Sequence, residues 1–129
     1  MNVLVIEDHP LVRMGVCALI RKRWPDAVLV EAETLDQAEA TLSTQRPDLI
    51  IVDLSLPDAD GTEAPTRALA MAHGVPVIVL SARGEADFAA SLIGLGVSGY
   101  VTKDRASGVL SHAIARVLAG GRYVATDIV

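Results

Sequence analysis

The sequence predicts an open, doubly wound parallel α/β sheet, and two observations carry that prediction. Apolar runs of strand length alternate with longer segments of helical period along almost the whole chain, the pattern left by repeated βα units. Four of the runs also end in residues able to do polar chemistry. Val3-Leu4-Val5-Ile6 leads into Glu7 and Asp8, Leu49-Ile50-Ile51-Val52 into Asp53, Val77-Ile78-Val79-Leu80 into Ser81, and Gly99-Tyr100-Val101-Thr102 into Lys103. In a parallel sheet all carboxyl ends lie along one edge, where ligands bind, so these scattered residues are expected to converge.

Taken in order, the strands are expected at about Asn2 to Ile6, Ala27 to Ala32, Leu49 to Asp53, Val75 to Leu80 and Tyr100 to Thr102. The helices are expected at about Pro10 to Arg23, Leu35 to Gln45, Thr62 to Ala72, Ala86 to Leu95 and Ser107 to Ala119. Thr34 can cap the second helix, with Gln37 three residues on completing a capping box, and Asp104 can cap the last helix if it starts early. Pro65 would remove an internal hydrogen bond from the third helix unless that helix starts late, near Ala64, so an irregular start is expected. The last helix carries an apolar stripe at Leu110, Ala113, Ile114, Val117 and Leu118 before Gly120-Gly121 ends it.

A chain of 129 residues, 51% hydrophobic, is one globular domain with a sizeable core. The single Cys17 cannot form an internal disulfide and reads as a small buried residue on the packed side of a helix. With 16 acidic and 11 basic residues the net charge is −5, which disfavours nucleic-acid binding by this segment itself. Its one basic run, Arg21-Lys22-Arg23, ends a predicted helix, where cations complement the dipole. With no basic leader and no long apolar span, a cytoplasmic location without membrane contact is expected.

Two patterns mislead. Gly94-Leu95-Gly96-Val97-Ser98-Gly99 matches a dinucleotide-binding glycine pattern, but here a helix precedes it and a strand follows, the reverse of what that motif needs. Asp58-Ala59-Asp60-Gly61 hints at a calcium loop, yet aligning Gly61 puts Leu56 and Arg67 where carboxylate ligands belong.

For a sheet ordered 2-1-3-4-5, the first and third strands are neighbours, which brings Asp8 beside Asp53 with Glu7 nearby. Three such carboxylates cannot all stay ionised without a cation, so either pKa values rise or a metal enters. An all-oxygen ligand set favours a hard ion, and Mg²⁺ suits it. His9 lies beside the acidic pair but reads as a helix-start residue.

These residues resemble the receiver domains of bacterial two-component response regulators across essentially the whole chain. The resemblance rests on Glu7-Asp8, Asp53, Leu56-Pro57 with Gly61, Ser81-Ala82, and Tyr100 upstream of Lys103. The segments from Glu7 to Arg13 and from Gly96 to Asp104 are most similar to receivers joined to a LuxR-type (NarL/FixJ-like) helix-turn-helix. The resemblance implies a flavodoxin-like, five-stranded sheet with five helices, and a signalling switch rather than an enzyme on an external substrate. It implies Asp53 as phosphoacceptor from a histidine kinase, phosphotransfer protein or small phosphodonor. Mg²⁺ would be held by Glu7, Asp8, Asp53 and the backbone carbonyl of Ser55. Lys103 would pair with a phosphoryl oxygen, and Ser81 and Tyr100 would form the switch, Ser81 standing where many receivers have threonine. Asp104 replaces a proline common in receivers, while Ser55 and Arg83 occupy positions that in receivers influence phosphoryl lifetime.

The resemblance also implies residues 1–121 as the receiver and 122–129 as the start of a linker to a C-terminal output domain, through which alone DNA would be bound. A homodimer is a further expected partner arrangement. The competing reading is a phosphorylation-independent interaction module on the same fold, against which the intact set of acids, hydroxyl and lysine argues. A phosphatase on this plan would want a second aspartate where Ser55 stands. A flavin protein would want a phosphate loop where Glu7-Asp8 repels phosphate.

Overall fold

The computed structural model describes residues 1–59, 63–82 and 89–125. It forms one parallel sheet in the order β2-β1-β3-β4-β5-β6. The strands are β1 (Asn2–Ile6), β2 (Val28–Ala32), β3 (Leu49–Asp53), β4 (Val77–Ser81), β5 (Gly99–Thr102) and β6 (Tyr123–Ala125). The helices are α1 (Pro10–Arg23), α2 (Leu35–Leu42), α3 (Glu63–Ala72), α4 (Ala89–Leu95) and α5 (Ala106–Leu118), with a 3₁₀ turn at Lys103–Arg105. The expected Gly61, the start of the third helix at Thr62, Arg83 and the first turn of the fourth helix from Ala86 lie outside the described residues.

Period-two alternation explains why both faces of the sheet are covered. In β3, Ile50 and Val52 join one cluster with Leu4, Ile6, Leu35, Ala64 and Leu92. Leu49 and Ile51 point the other way, into a cluster with Val3, Val5, Ile20, Leu110 and Ile114. Helices α2, α3 and α4 thus cover one face and α1 and α5 the other, as strands buried on both sides require. Cys17 is buried in the second cluster.

The expectation of five strands needs correction: Tyr123–Ala125 pairs in parallel with β5, with Gly99 opposite Tyr123 and Val101 opposite Ala125. This strand falls within the stretch expected to begin a linker. At three residues, with Val124 51% exposed, it has too short an apolar pattern to announce itself. Helix α2 stops at Leu42, short of the expected Gln45, and β4 starts at Val77 rather than Val75.

Local signals otherwise act as chemistry dictates. Thr34 Oγ1 accepts the Gln37 N–H at 3.1 Å, while Gln37 Oε1 accepts the N–H of Glu33 at 2.8 Å, one residue before the position a capping box uses. Both oxygens of Asp58 accept from the start of α2, from Leu35 and Asp36 N–H at 3.1 Å each. The N-cap of α5 is Arg105, and Asp104 lies in the preceding 3₁₀ turn instead of capping the helix. Arg23, at the basic end of α1, stacks over Trp24 at 4.9 Å.

The misleading glycine pattern is a helix stop. Gly96 takes φ +113° after α4, and Val97 N–H bonds back to Leu92 at 3.2 Å. At Gly99 a Cβ would meet Ile78 Cγ1 at 2.9 Å, so this glycine permits β5 to lie close to β4. Among the described residues no helix is long and apolar enough to cross a membrane.

Candidate functional site

Register places the site. Ile6 is level with Val52 across β1 and β3, so Glu7 and Asp53 leave the sheet side by side. Asp53 is level with Leu80 and Ser81 with Thr102, after which Lys103 begins the 3₁₀ turn. Glu7, Asp53 and Ser81 are all buried at this edge.

Lys103 joins the two strands' acids. Its Nζ lies 3.1 Å from Asp53 Oδ1 and 3.4 Å from Glu7 Oε2, with Glu7 Oε1 at 3.5 Å. Ser55 N–H donates to Asp53 Oδ1 at 3.3 Å, and His9 N–H donates to Glu7 Oε1 at 3.2 Å. Glu7 Oε2 accepts no hydrogen bond.

The electrostatics follow from one cation facing two buried carboxylates. Burial first, and then the neighbouring Asp53, push the Glu7 carboxyl up to about 7, with Lys103 and the His9 N–H only partly opposing. Burial would lower the Lys103 ammonium, but Asp53 and Glu7 together outweigh it and its pKa rises. Lys103 therefore stays charged while Glu7 shares the site with a proton or another cation.

Asp8 is half-buried and points its carboxylate into a group with Glu7 and His9, whose ligand atoms lie within 4.8 Å of one another. His9 is the N-cap residue of α1 with no side-chain cap bond, in keeping with a helix-start residue, yet its ring is close enough to the acids to count among them. Glu7, more than Asp8, is the acid in direct contact with the Lys103–Asp53 pair.

The remaining expected residues lie around this group. Ser81 Oγ bonds to the Tyr100 hydroxyl at 2.6 Å and to the Ala82 carbonyl at 3.3 Å. Tyr100 is buried against the α2, α3 and α4 face of the sheet. Ser55 is exposed, just past Asp53. Arg13 is what sequence reasoning missed: it appeared only as part of a motif, yet it donates to the Glu7 carbonyl at 2.8 Å.

An acidic edge with a strand-end lysine and hydroxyl is what the resemblance required, and comparison with known families decides the assignment. Residues 3–115 match the family described as the response regulator receiver domain. The chain belongs to that family. The response regulator UvrY of Escherichia coli (strain K12) is 32% identical over 127 residues, covering 98% of this chain and 58% of UvrY. The receiver thus spans less than two-thirds of such relatives. A crystal structure of a LuxR-family two-component response regulator from Aurantimonas sp. SI85-9A1 is similar at TM-score 0.86 and 32% identity, covering 98% of this chain and 91% of that one. The isolated receiver of RcsB from Salmonella enterica serovar Typhimurium, solved with the phosphomimetic BeF3-, is similar at TM-score 0.85 and 25% identity, covering 97% and 93%. This is a receiver of the LuxR type.

Proposed function

We propose that this receiver takes a phosphoryl group on Asp53 and in doing so changes the surface it offers to an output domain. An Asp53 carboxylate oxygen attacks the phosphorus, the donor leaves with the electron pair of the broken bond, and an acyl phosphate remains on Asp53. The observation that carries this reading is Lys103 Nζ within 3.5 Å of both Asp53 and Glu7. A fixed ammonium beside the acceptor supplies positive charge where phosphoryl oxygens would gather.

The residues present fit a hard divalent cation. Glu7 is buried, has an oxygen that accepts no hydrogen bond, and holds its proton up to about 7, the state of a carboxylate lacking enough positive charge. Glu7, Asp8, Asp53 and the Ser55 carbonyl would hold Mg²⁺. When bound, that ion neutralises charge on the transferring phosphoryl group. Ser81 turns its hydroxyl from Tyr100 to a phosphoryl oxygen, and Tyr100 is the side chain that responds.

The partners follow from this chemistry and from the relatives' greater length. A histidine kinase or phosphotransfer protein in the cytoplasm supplies the phosphoryl group. The chain beyond the receiver, with 122–129 leading towards it, carries an output domain that contacts DNA to regulate transcription, and a second copy is the expected dimer partner. The protein is a switch whose only chemistry is its own phosphorylation and dephosphorylation.

The test is incubation with acetyl phosphate and Mg²⁺ followed by intact-mass measurement. The wild type gains one phosphoryl group, whereas Asp53→Asn does not. An unmodified wild type, or an equal gain in the variant, refutes Asp53 as acceptor.

A further inference from the structure

Arg13 stands in the second turn of α1, where an arginine would ordinarily extend into water. Instead it turns back over the loop between β1 and α1, leaving its side chain only 14% exposed. Nη1 donates to the Glu7 carbonyl at 2.8 Å, Nε donates to Glu31 Oε1 at 3.0 Å, and Nη2 lies 3.5 Å from Glu33 Oε1. The acids at the end of β2 therefore aim the guanidinium, and the guanidinium grips the chain where β1 ends.

The gripped atom matters. The Glu7 carbonyl belongs to the planar peptide unit that joins Glu7 to Asp8, so fixing its direction fixes the rotation of that plane and the point from which Asp8 departs. On the opposite side the Glu7 N–H donates to the Ala32 carbonyl at 2.9 Å. Both main-chain groups of Glu7 are thus held, one by β2 and one by Arg13. A flexible ammonium could satisfy one of these oxygens, but the planar fork of arginine reaches the carbonyl and the acids together.

Resting on the reading that Glu7 and Asp8 hold a divalent cation, we propose that Arg13 is a positioning residue. It locks the Glu7–Asp8 peptide in the orientation that presents both carboxylates to the ion. The sign of the effect separates this role from simple electrostatics. A positive charge near the pocket repels a divalent cation, so deleting that charge alone would tighten binding. Loss of positioning weakens it.

The experiment titrates wild type, Arg13→Ala and Arg13→Lys with MgCl2 by calorimetry and follows hydrogen exchange of the amides just after Glu7. Arg13→Ala is expected to weaken Mg²⁺ binding about tenfold or more, the usual effect of removing a group that orients metal ligands, and to speed exchange at His9. Arg13→Lys, which keeps the charge without the fork, is expected to weaken binding less but in the same direction. Unchanged or tighter binding in a folded Arg13→Ala overturns the proposal. Should that variant fail to fold, Arg13→Lys carries the test, and wild-type affinity there overturns it. A wild type that binds no Mg²⁺ overturns the metal reading itself, a result distinct from variants that bind as the wild type does.

Discussion

Because Glu7 holds its proton up to about 7, magnesium must displace that proton, and binding is expected to depend on pH in a calculable way. Apparent affinity falls by the ratio of total to deprotonated Glu7, which is close to one at about pH 8 and about tenfold at about pH 6. Calorimetry in buffers of different ionisation enthalpy reads both the affinity and the protons released. The expected result is a roughly tenfold loss between those two pH values, with about one proton released per ion at the lower and few at the higher. Affinity that does not change over this range refutes the argument that burial and Asp53 hold Glu7 protonated. Stability gives the same sign. The folded pKa of Glu7 lies above its ordinary 4.5, so the metal-free fold has its full contribution below about 4.5 and loses it as pH rises through about 7, up to roughly 3 kcal/mol. Saturating Mg²⁺ should flatten that decline.

Other substitutions test the neighbouring contacts. Lys103→Met leaves Glu7 and Asp53 facing each other without their shared ammonium, and urea unfolding of the metal-free domain near neutral pH should show a loss of about 3 kcal/mol, largely restored by Mg²⁺. Ser81→Ala removes the 2.6 Å bond to Tyr100 and should lower stability by about 1 kcal/mol in the same assay, while Ser81→Thr keeps the hydroxyl and most of the stability. Gly99→Ala places a Cβ 2.9 Å from Ile78 Cγ1, and a thermal melt should register about 1–3 kcal/mol of destabilisation from the forced separation of β4 and β5.

The fold was legible wherever a strand was long and fully buried. Leu49–Asp53 alternates between two cores, and its apolar run has sharp edges, so its ends are where the residues predict them. Burial on both faces makes such a run continuous, and the first polar residue then marks the strand end. Tyr123–Ala125 gives no such mark, because a three-residue strand at the sheet edge, with Tyr123 half-buried and Val124 exposed, is too short to impose a pattern. The candidate site was legible for a related reason: Glu7, Asp53 and Lys103 each follow a buried strand, and topology does the rest. Topology alone placed Asp8 beside Asp53 with Glu7 nearby, and it did not foresee that Glu7 would be the acid meeting Lys103 and Asp53, because the strand pattern does not say how the chain turns after Ile6. Arg13 was invisible as a contact because a long side chain six residues away can fold back or extend, and only the position of Glu31 and Glu33 decides between them.

Asp53, the carboxylate nearer Lys103 Nζ of the two that face it, is the proposed phosphoacceptor. Borohydride reduction of the chain after treatment with acetyl phosphate and Mg²⁺ turns an aspartyl phosphate into homoserine, which peptide mass mapping locates. Homoserine is expected at position 53, with no reduced residue at any other acidic position; reduction of Asp8, or of Glu7 to the one-carbon-longer hydroxynorvaline, with Asp53 left intact, would show that another carboxylate is the acceptor.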